Sequence, residues 1–156
     1  MGLADRIAAG SSILLDSDAL IYFVEEHADF LPVVEPVIEM VASGQISAHA
    51  STINLLEVLV RPLREKRTDL AARYRAILTQ SRHLTLHPLS SAIAERAAAI
   101  RAEFRLTTPD AVVAATALEA GCSFLVTNNG DDFGRIREPE VLVVRQFVGS
   151  SKGDQN

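Results

Sequence analysis

The stretch Ser11-Ser12-Ile13-Leu14-Leu15-Asp16-Ser17-Asp18-Ala19-Leu20-Ile21-Tyr22-Phe23-Val24-Glu25-Glu26 decides the fold. Ile13 to Leu15 is a short apolar run, the pattern of a strand buried on both faces. It stops on Asp16, and Asp18 follows. From Asp18 to Val24 the chain reads as a helix. A strand that passes directly into a helix is the first half of a βαβ unit, so the stretch predicts an α/β protein with a parallel sheet. It also raises a question, because a core strand ends on a charge.

The same alternation runs through the chain. Strands are expected at Ser12–Leu15, Ile46–Ala48, Leu84–Leu86, Phe124–Val126 and Val141–Val144. Helices are expected at Leu3–Ala9, Asp18–Val24, Val33–Ala42, Ile53–Val60, Leu70–Ser81, Ala92–Phe104 and from Pro109 to Gly121. Pro32 suits a first helical turn and Gly44 a helix end. Ser51 or Thr52 and Ser90 are N-caps. Pro62 should end or bend its helix. The chain has 156 residues, 48% of them hydrophobic, which predicts one domain over residues 1–148, with 1–11 as a leading extension. The closing "GSSKGDQN", residues 149–156, reads as a polar disordered tail.

Composition narrows the function classes. There is one cysteine, Cys122, and no run of about 18 apolar residues. A cytoplasmic protein without a membrane span is expected. The formal net charge is −5. Between Arg61 and Arg82, however, seven basic residues stand against two acidic ones, a net of +5 that leaves −10 elsewhere. Arg61, Arg64, Lys66 and Arg67 open this window, which reads either as a solvated helical face or as a ridge for an RNA backbone.

Ligands of an open parallel sheet sit at the carboxyl ends of its strands. Asp16 ends the first strand, Glu57 follows the second, and Asn129, Asp131 and Asp132 follow the fourth. Asp110 lies in the first turn of the helix before that strand. Each acid has a plain structural explanation: a cap for Asp16, helix-dipole stabilisation for Asp110, an ion pair with Arg61 for Glu57. Glu57 strains its explanation, because "TINLLEVLV" is apolar enough to be buried. Carboxylates about 4 Å apart repel by roughly 4 kcal/mol at an effective dielectric near 20. Clustered acids therefore need protons or a cation. An all-oxygen set favours Mg²⁺ or Mn²⁺, and the four histidines show no zinc spacing. A hard cation with open positions suits hydrolysis of phosphate esters.

Four segments taken in order, "LLDSDALIY", "STINLLEVLVRPL", "LTTPDAVVAATALEAG" and "FLVTNNGDDF", resemble the PIN-domain ribonucleases, in particular the VapC-type toxins of toxin–antitoxin pairs. The resemblance covers Ile13 to Val144. It implies a three-layer α/β/α sandwich around a five-stranded parallel sheet of order 3-2-1-4-5. It implies an Mg²⁺- or Mn²⁺-dependent endoribonuclease, an antitoxin partner and a homodimer. Asp16, Glu57 and Asp110 match the family's acids and Thr127 its hydroxyl residue, and Asp16 and Asp110 match the usual direct metal ligands. The chain departs at the fourth acid, where Asn129 stands and Asp132 could supply the charge. Two rivals remain. A haloacid-dehalogenase-like phosphatase would use Asp16 and Asp18, and a PIN-like domain could bind RNA or protein without cutting.

Overall fold

The computed structural model describes residues 1–149, so the predicted tail, apart from Gly149, lies outside the described residues. Five parallel strands, β1 (Ser12–Leu15), β2 (Ser47–Ser51), β3 (Leu84–His87), β4 (Phe124–Thr127) and β5 (Glu140–Val143), form one sheet in the order β3-β2-β1-β4-β5. Seven helices connect them: α1 (Ser17–Val24), α2 (Leu31–Ala42), α3 (Thr52–Arg64), α4 (Thr68–Gln80), α5 (Ser91–Phe104), α6 (Thr108–Glu119) and the single turn α7 (Gly130–Phe133). This is the predicted α/β/α architecture and strand order.

Strand alternation builds the layers. Successive side chains of a strand point to opposite faces. Ile13 and Leu15 pack with Leu20, Val34, Val58 and Tyr74 of α1 to α4, whereas Leu14 packs with Leu125 and the Ile93, Val112 and Ala115 side of α5 and α6. Ile13, Leu14 and Leu15 are all buried, each worth about 1.5–3 kcal/mol relative to an exposed position. β1 lies centrally between β2 and β4, and the connections leave its two sides in opposite directions. Its carboxyl end is thus the switch point of the sheet, and Asp16 is the residue there.

Four expectations are corrected. The predicted first helix is only a 3-10 turn, Ala4–Arg6. The segment is nonetheless part of the domain, because Leu3 and Ile7 are buried in the core and Arg6 pairs with Glu140. β2 starts and ends later than expected. α3 runs through buried Pro62 to Arg64. A proline within a helix removes one hydrogen bond, but the helix here ends further on, where Lys66 adopts a left-handed φ of 56°. Finally, α3 is not buried all round. Asn54, Val58 and Pro62 face inward, while Leu56, Val60 and Leu63 are 59%, 44% and 53% exposed, and Glu57 is exposed with them.

Candidate active site

Asp16 is the centre of the site. It N-caps α1 through its Oδ1, which accepts the Ser17 N–H at 2.9 Å. The same oxygen accepts Asn54 Nδ2 at 3.1 Å, and Oδ2 accepts the Thr127 hydroxyl at 2.7 Å. The capping explanation therefore holds, and the same side chain also joins α3 and β4. Thr127, fully buried at the end of β4, also accepts the Asn129 N–H at 2.9 Å.

Asn54, which the sequence does not single out, joins this network. It is fully buried, and it completes a capping box at the start of α3 by accepting the Ser51 N–H at 2.8 Å. Its amide then donates to both Asp16 and the Ser17 hydroxyl, the latter at 3.0 Å. The Ser17 hydroxyl donates to Glu57 Oε1 at 2.9 Å. Glu57 is thus tied to the Asp16 network although exposed. Arg61 does not take it as an ion-pair partner: its guanidinium meets Glu25 at 3.8 Å and Glu65 at 3.2 Å. The available signal for Asn54 was a polar residue three positions after Ser51, inside an otherwise apolar helix.

A second group of acids lies across β4. Asp110 sits half-buried in the first turn of α6, behind the Thr107 cap. The amide of Asn129 donates to Asp110 Oδ2 at 3.4 Å and to Asp132 Oδ2 at 3.1 Å, so it clasps two carboxylates. In this orientation it offers them its NH₂, and its carbonyl points elsewhere. Asp132 is the acid brought beside Asp110; Asp131 is 92% exposed and faces Arg145 at 3.6 Å. Asp18 is held by the N–H groups of Ala19 and Asn128, at 2.8 and 2.7 Å.

The electrostatics are those of carboxylates without a counter-ion. Burial first, then the charge of Asp18 and more weakly that of Glu57, push the Asp16 pKa up to about 7 against the opposing pull of Thr127 and Ser17. Asp18 is raised by burial. Asp110 is raised by burial and then by Asp132. Among the described residues no three His, Cys, Asp or Glu side chains converge on one point, so no closed cage is preformed. Mg²⁺ does not require one. It keeps several waters and is commonly bound through one or two carboxylates together with substrate phosphate. The all-oxygen donors fit such an ion.

The remaining candidates lie apart. In the basic window, Arg61 is paired as above and Arg67 is paired with Asp69 at 3.2 Å, leaving Arg64 and Lys66 exposed near the far end of α3. His49 and His87 hydrogen-bond each other at 2.8 Å on β2 and β3. Cys122 is a buried core thiol pushed up to about 12 by desolvation. A groove of about 640 Å³ along α5 and the start of α6 is lined by Leu89, Ala98, Arg101 and Arg105 among others, and no acid lines it.

The arrangement of acids on this sheet edge can be compared with known proteins. The model of the PIN domain family matches residues 13–139. The chain belongs to the PIN-domain family. Solved structures of toxin–antitoxin proteins share its fold. A toxin–antitoxin complex from Klebsiella pneumoniae matches at 27% identity with a TM-score of 0.65, covering 84% of this chain and 96% of that one. VapBC2 from Rickettsia felis, bound to a DNA fragment from its promoter, matches at 20% identity and a TM-score of 0.67, covering 85% and 98%. VapC20 from Mycobacterium tuberculosis, described as a Sarcin-Ricin loop cleaving toxin, matches at 16% identity and a TM-score of 0.59, covering 72% and 86%. No curated protein sequence matches. PIN membership removes the haloacid-dehalogenase reading, which also lacks its lysine: Lys66, the one lysine between the motifs, lies beyond the end of α3.

Proposed function

We propose that this PIN-domain protein is a metal-dependent endoribonuclease and the toxin of a toxin–antitoxin pair. The observation that carries the reading is Asp16: a buried carboxylate at the switch point of the sheet, flanked by Asp18 and Glu57, with no Lys, Arg or His pairing with it among the described residues. Such a group is held at a cost unless a cation meets it. Asp16 and Asp110 are the direct ligands in this proposal. Glu57 and Asp132 stand behind them, and Asn129 joins the set only if its amide turns its carbonyl inward. Mg²⁺ or Mn²⁺ bound there supplies charge neutralisation at the scissile phosphate and acidifies water.

The residues of the chain supply position. Thr127 and Asn54 fix both oxygens of Asp16, so its rotamer is set before any substrate arrives. Ser17 holds Glu57 toward the same network. Asn129 keeps Asp110 and Asp132 together, limiting the rearrangement needed on binding. Arg64 and Lys66 can contact RNA phosphates without reading sequence.

The partners follow from the same reading. The toxin–antitoxin assemblies among the similar structures support an antitoxin, whose segment would lie over the acidic edge. The exposed apolar stripe Leu56, Val60 and Leu63 on α3 supports a homodimer, since single exposed apolar residues are ordinary but a stripe on one helix face is an interface signature. No helix of the described residues is long and apolar enough to cross a membrane. The non-catalytic alternative predicts RNA binding without turnover. The test is cleavage of RNA by purified protein with and without Mg²⁺ or Mn²⁺. Metal-dependent cleavage that is lost in Asp110→Asn, with an unchanged circular-dichroism spectrum, is expected; full activity of that variant would refute the assignment.

A further inference from the structure

Three half-buried rings gather one helical turn from Asp18. Tyr22 of α1, four residues on, lies 4.6 Å from Phe30 and 5.1 Å from His27 between ring centroids, and His27 stacks on Phe30 at 4.6 Å with planes 22° apart. Aromatic residues are few in this chain, 5% of the total, so their convergence is a specific feature. The turn that brings them together is strained. Glu26 adopts a left-handed φ of 53°, which folds the chain back so that the His27 N–H meets the Tyr22 carbonyl at 3.0 Å. His27 Nδ1 then accepts the N–H groups of Asp29 and Phe30, at 3.2 and 3.3 Å, which fixes the ring plane.

This cluster is wired to the acidic edge by Asn128. Its N–H holds Asp18, its Nδ2 donates to the Tyr22 hydroxyl at 3.0 Å, and its Oδ1 accepts the Arg145 N–H at 2.8 Å. The Arg145 guanidinium donates to the Asn128 carbonyl at 2.9 Å and is 48% exposed. Among the described residues its carboxylate neighbour is the solvent-exposed Asp131. Rings and guanidinium are thus held in fixed relation to each other and to the candidate active site. Arg64 and Lys66, by contrast, stand at the far end of α3.

Aromatic rings together with a half-exposed guanidinium, here joined through Asn128, are groups by which proteins hold unpaired nucleotides: the base stacks on the ring and the cation meets the phosphate. We propose that Tyr22, His27, Phe30 and Arg145 form a subsite for one unpaired nucleotide of the RNA next to the scissile bond. The proposal rests on the ribonuclease reading and adds where the strand leaves the acids. Nucleotide choice at that position is set here, and the α3–α4 ridge contributes only general attraction.

The test uses the full chain carrying Asp110→Asn and a short, fluorescein-labelled single-stranded RNA of randomised sequence. His27→Ala should weaken binding roughly tenfold, the scale of one lost base stack. His27→Phe, which keeps a ring but loses the Nδ1 contacts, should restore affinity to within about twofold of the parent. Arg145→Gln should lower the slope of log K against log salt by about 0.7, one phosphate contact to a single strand. The chain has no Trp and two Tyr, and Tyr74 is buried against Glu25, so tyrosine emission reports on Tyr22. RNA should quench it, and the quench should vanish in Tyr22→Phe. If His27→Ala binds RNA as tightly as its parent while the unmodified chain still cleaves RNA, the subsite is refuted and the ribonuclease reading survives. Equal weakness of His27→Ala and His27→Phe would show that the ring only shapes the turn, and would also overturn the stacking role. A His27→Ala defect confined to a partner protein, with RNA affinity intact, would make the cluster a protein-docking face and overturn it likewise. If the unmodified chain neither binds nor cleaves RNA, both readings fall together.

Discussion

The two halves of the candidate site are built differently. On the β1 side, Asp16 is buried and both of its oxygens are engaged, by Ser17, Asn54 and Thr127. On the α6 side, Asp110 is half-buried and linked to Asp132 through one long amide contact from Asn129. The first half is fixed by groups whose burial makes any displacement costly. The second can shift at little cost. A rigid carboxylate paired with an adjustable one suits an ion that must exchange ligands with a substrate: one side sets position, the other accommodates.

The largest effect expected from breaking this contrast is at Asp16. Asp16→Asn should abolish cleavage and yet raise metal-free stability. The sign follows from the shift. The folded protein binds the Asp16 proton more tightly than the unfolded chain, up to about 7 against 3.8. Its contribution is therefore fully present below the unfolded pKa and is lost as pH rises through 7. At about 1.4 kcal/mol per pKa unit, the ionised native state carries a penalty on the order of a few kcal/mol above neutrality. Thermal melts at pH 4 and pH 8 without metal should show the variant's advantage growing with pH; a difference that does not change with pH would contradict the account.

Asn54→Ala comes next. It leaves the buried Ser51 N–H unpaired and withdraws a donor from Asp16, which should cost about 1–3 kcal/mol in denaturant unfolding. Cleavage should fall further than folding does, because the Asp16 rotamer loosens. Unchanged catalysis in the folded fraction would assign Asn54 a purely structural role. On the looser side, Asn129→Asp replaces the clasping amide with a third negative charge. Metal-free stability should drop by about 1 kcal/mol or less, while Mn²⁺ affinity should rise. A fall in affinity would mean that the amide itself is needed at that position. The smallest effect belongs to the basic ridge. Arg67→Gln breaks an exposed pair with Asp69 and should leave the midpoint of denaturant unfolding unchanged.

The same contrast explains what the sequence revealed. The buried apolar strand that runs into Asp16 is legible from its pattern and position, whereas Thr127, one residue past the expected end of the fourth strand, stands out only through the family resemblance. The acids stood out as charges at strand ends. The strand order came from family resemblance, since short apolar runs carry no record of their neighbours. Asn54 escaped notice because a polar residue inside a helix ordinarily faces water. Only the packed structure shows that it faces Asp16. Glu57 was expected to be buried because its neighbours are apolar, but those neighbours, Leu56 and Val60, are themselves exposed. An apolar helix face reads identically whether it meets the chain's own core or a partner. Nothing in the sequence marks the turn α7, because four residues carry no periodicity.

Calorimetric titration of Mn²⁺ into the metal-free protein near pH 7, repeated in buffers of different ionisation enthalpy, asks whether Asp16 holds a cation. A cation that meets the partly protonated Asp16 must displace its proton. Binding with proton release is expected in the unmodified protein, with loss of both in Asp16→Asn. Equal Mn²⁺ binding by the two proteins, or no binding by either, would contradict it.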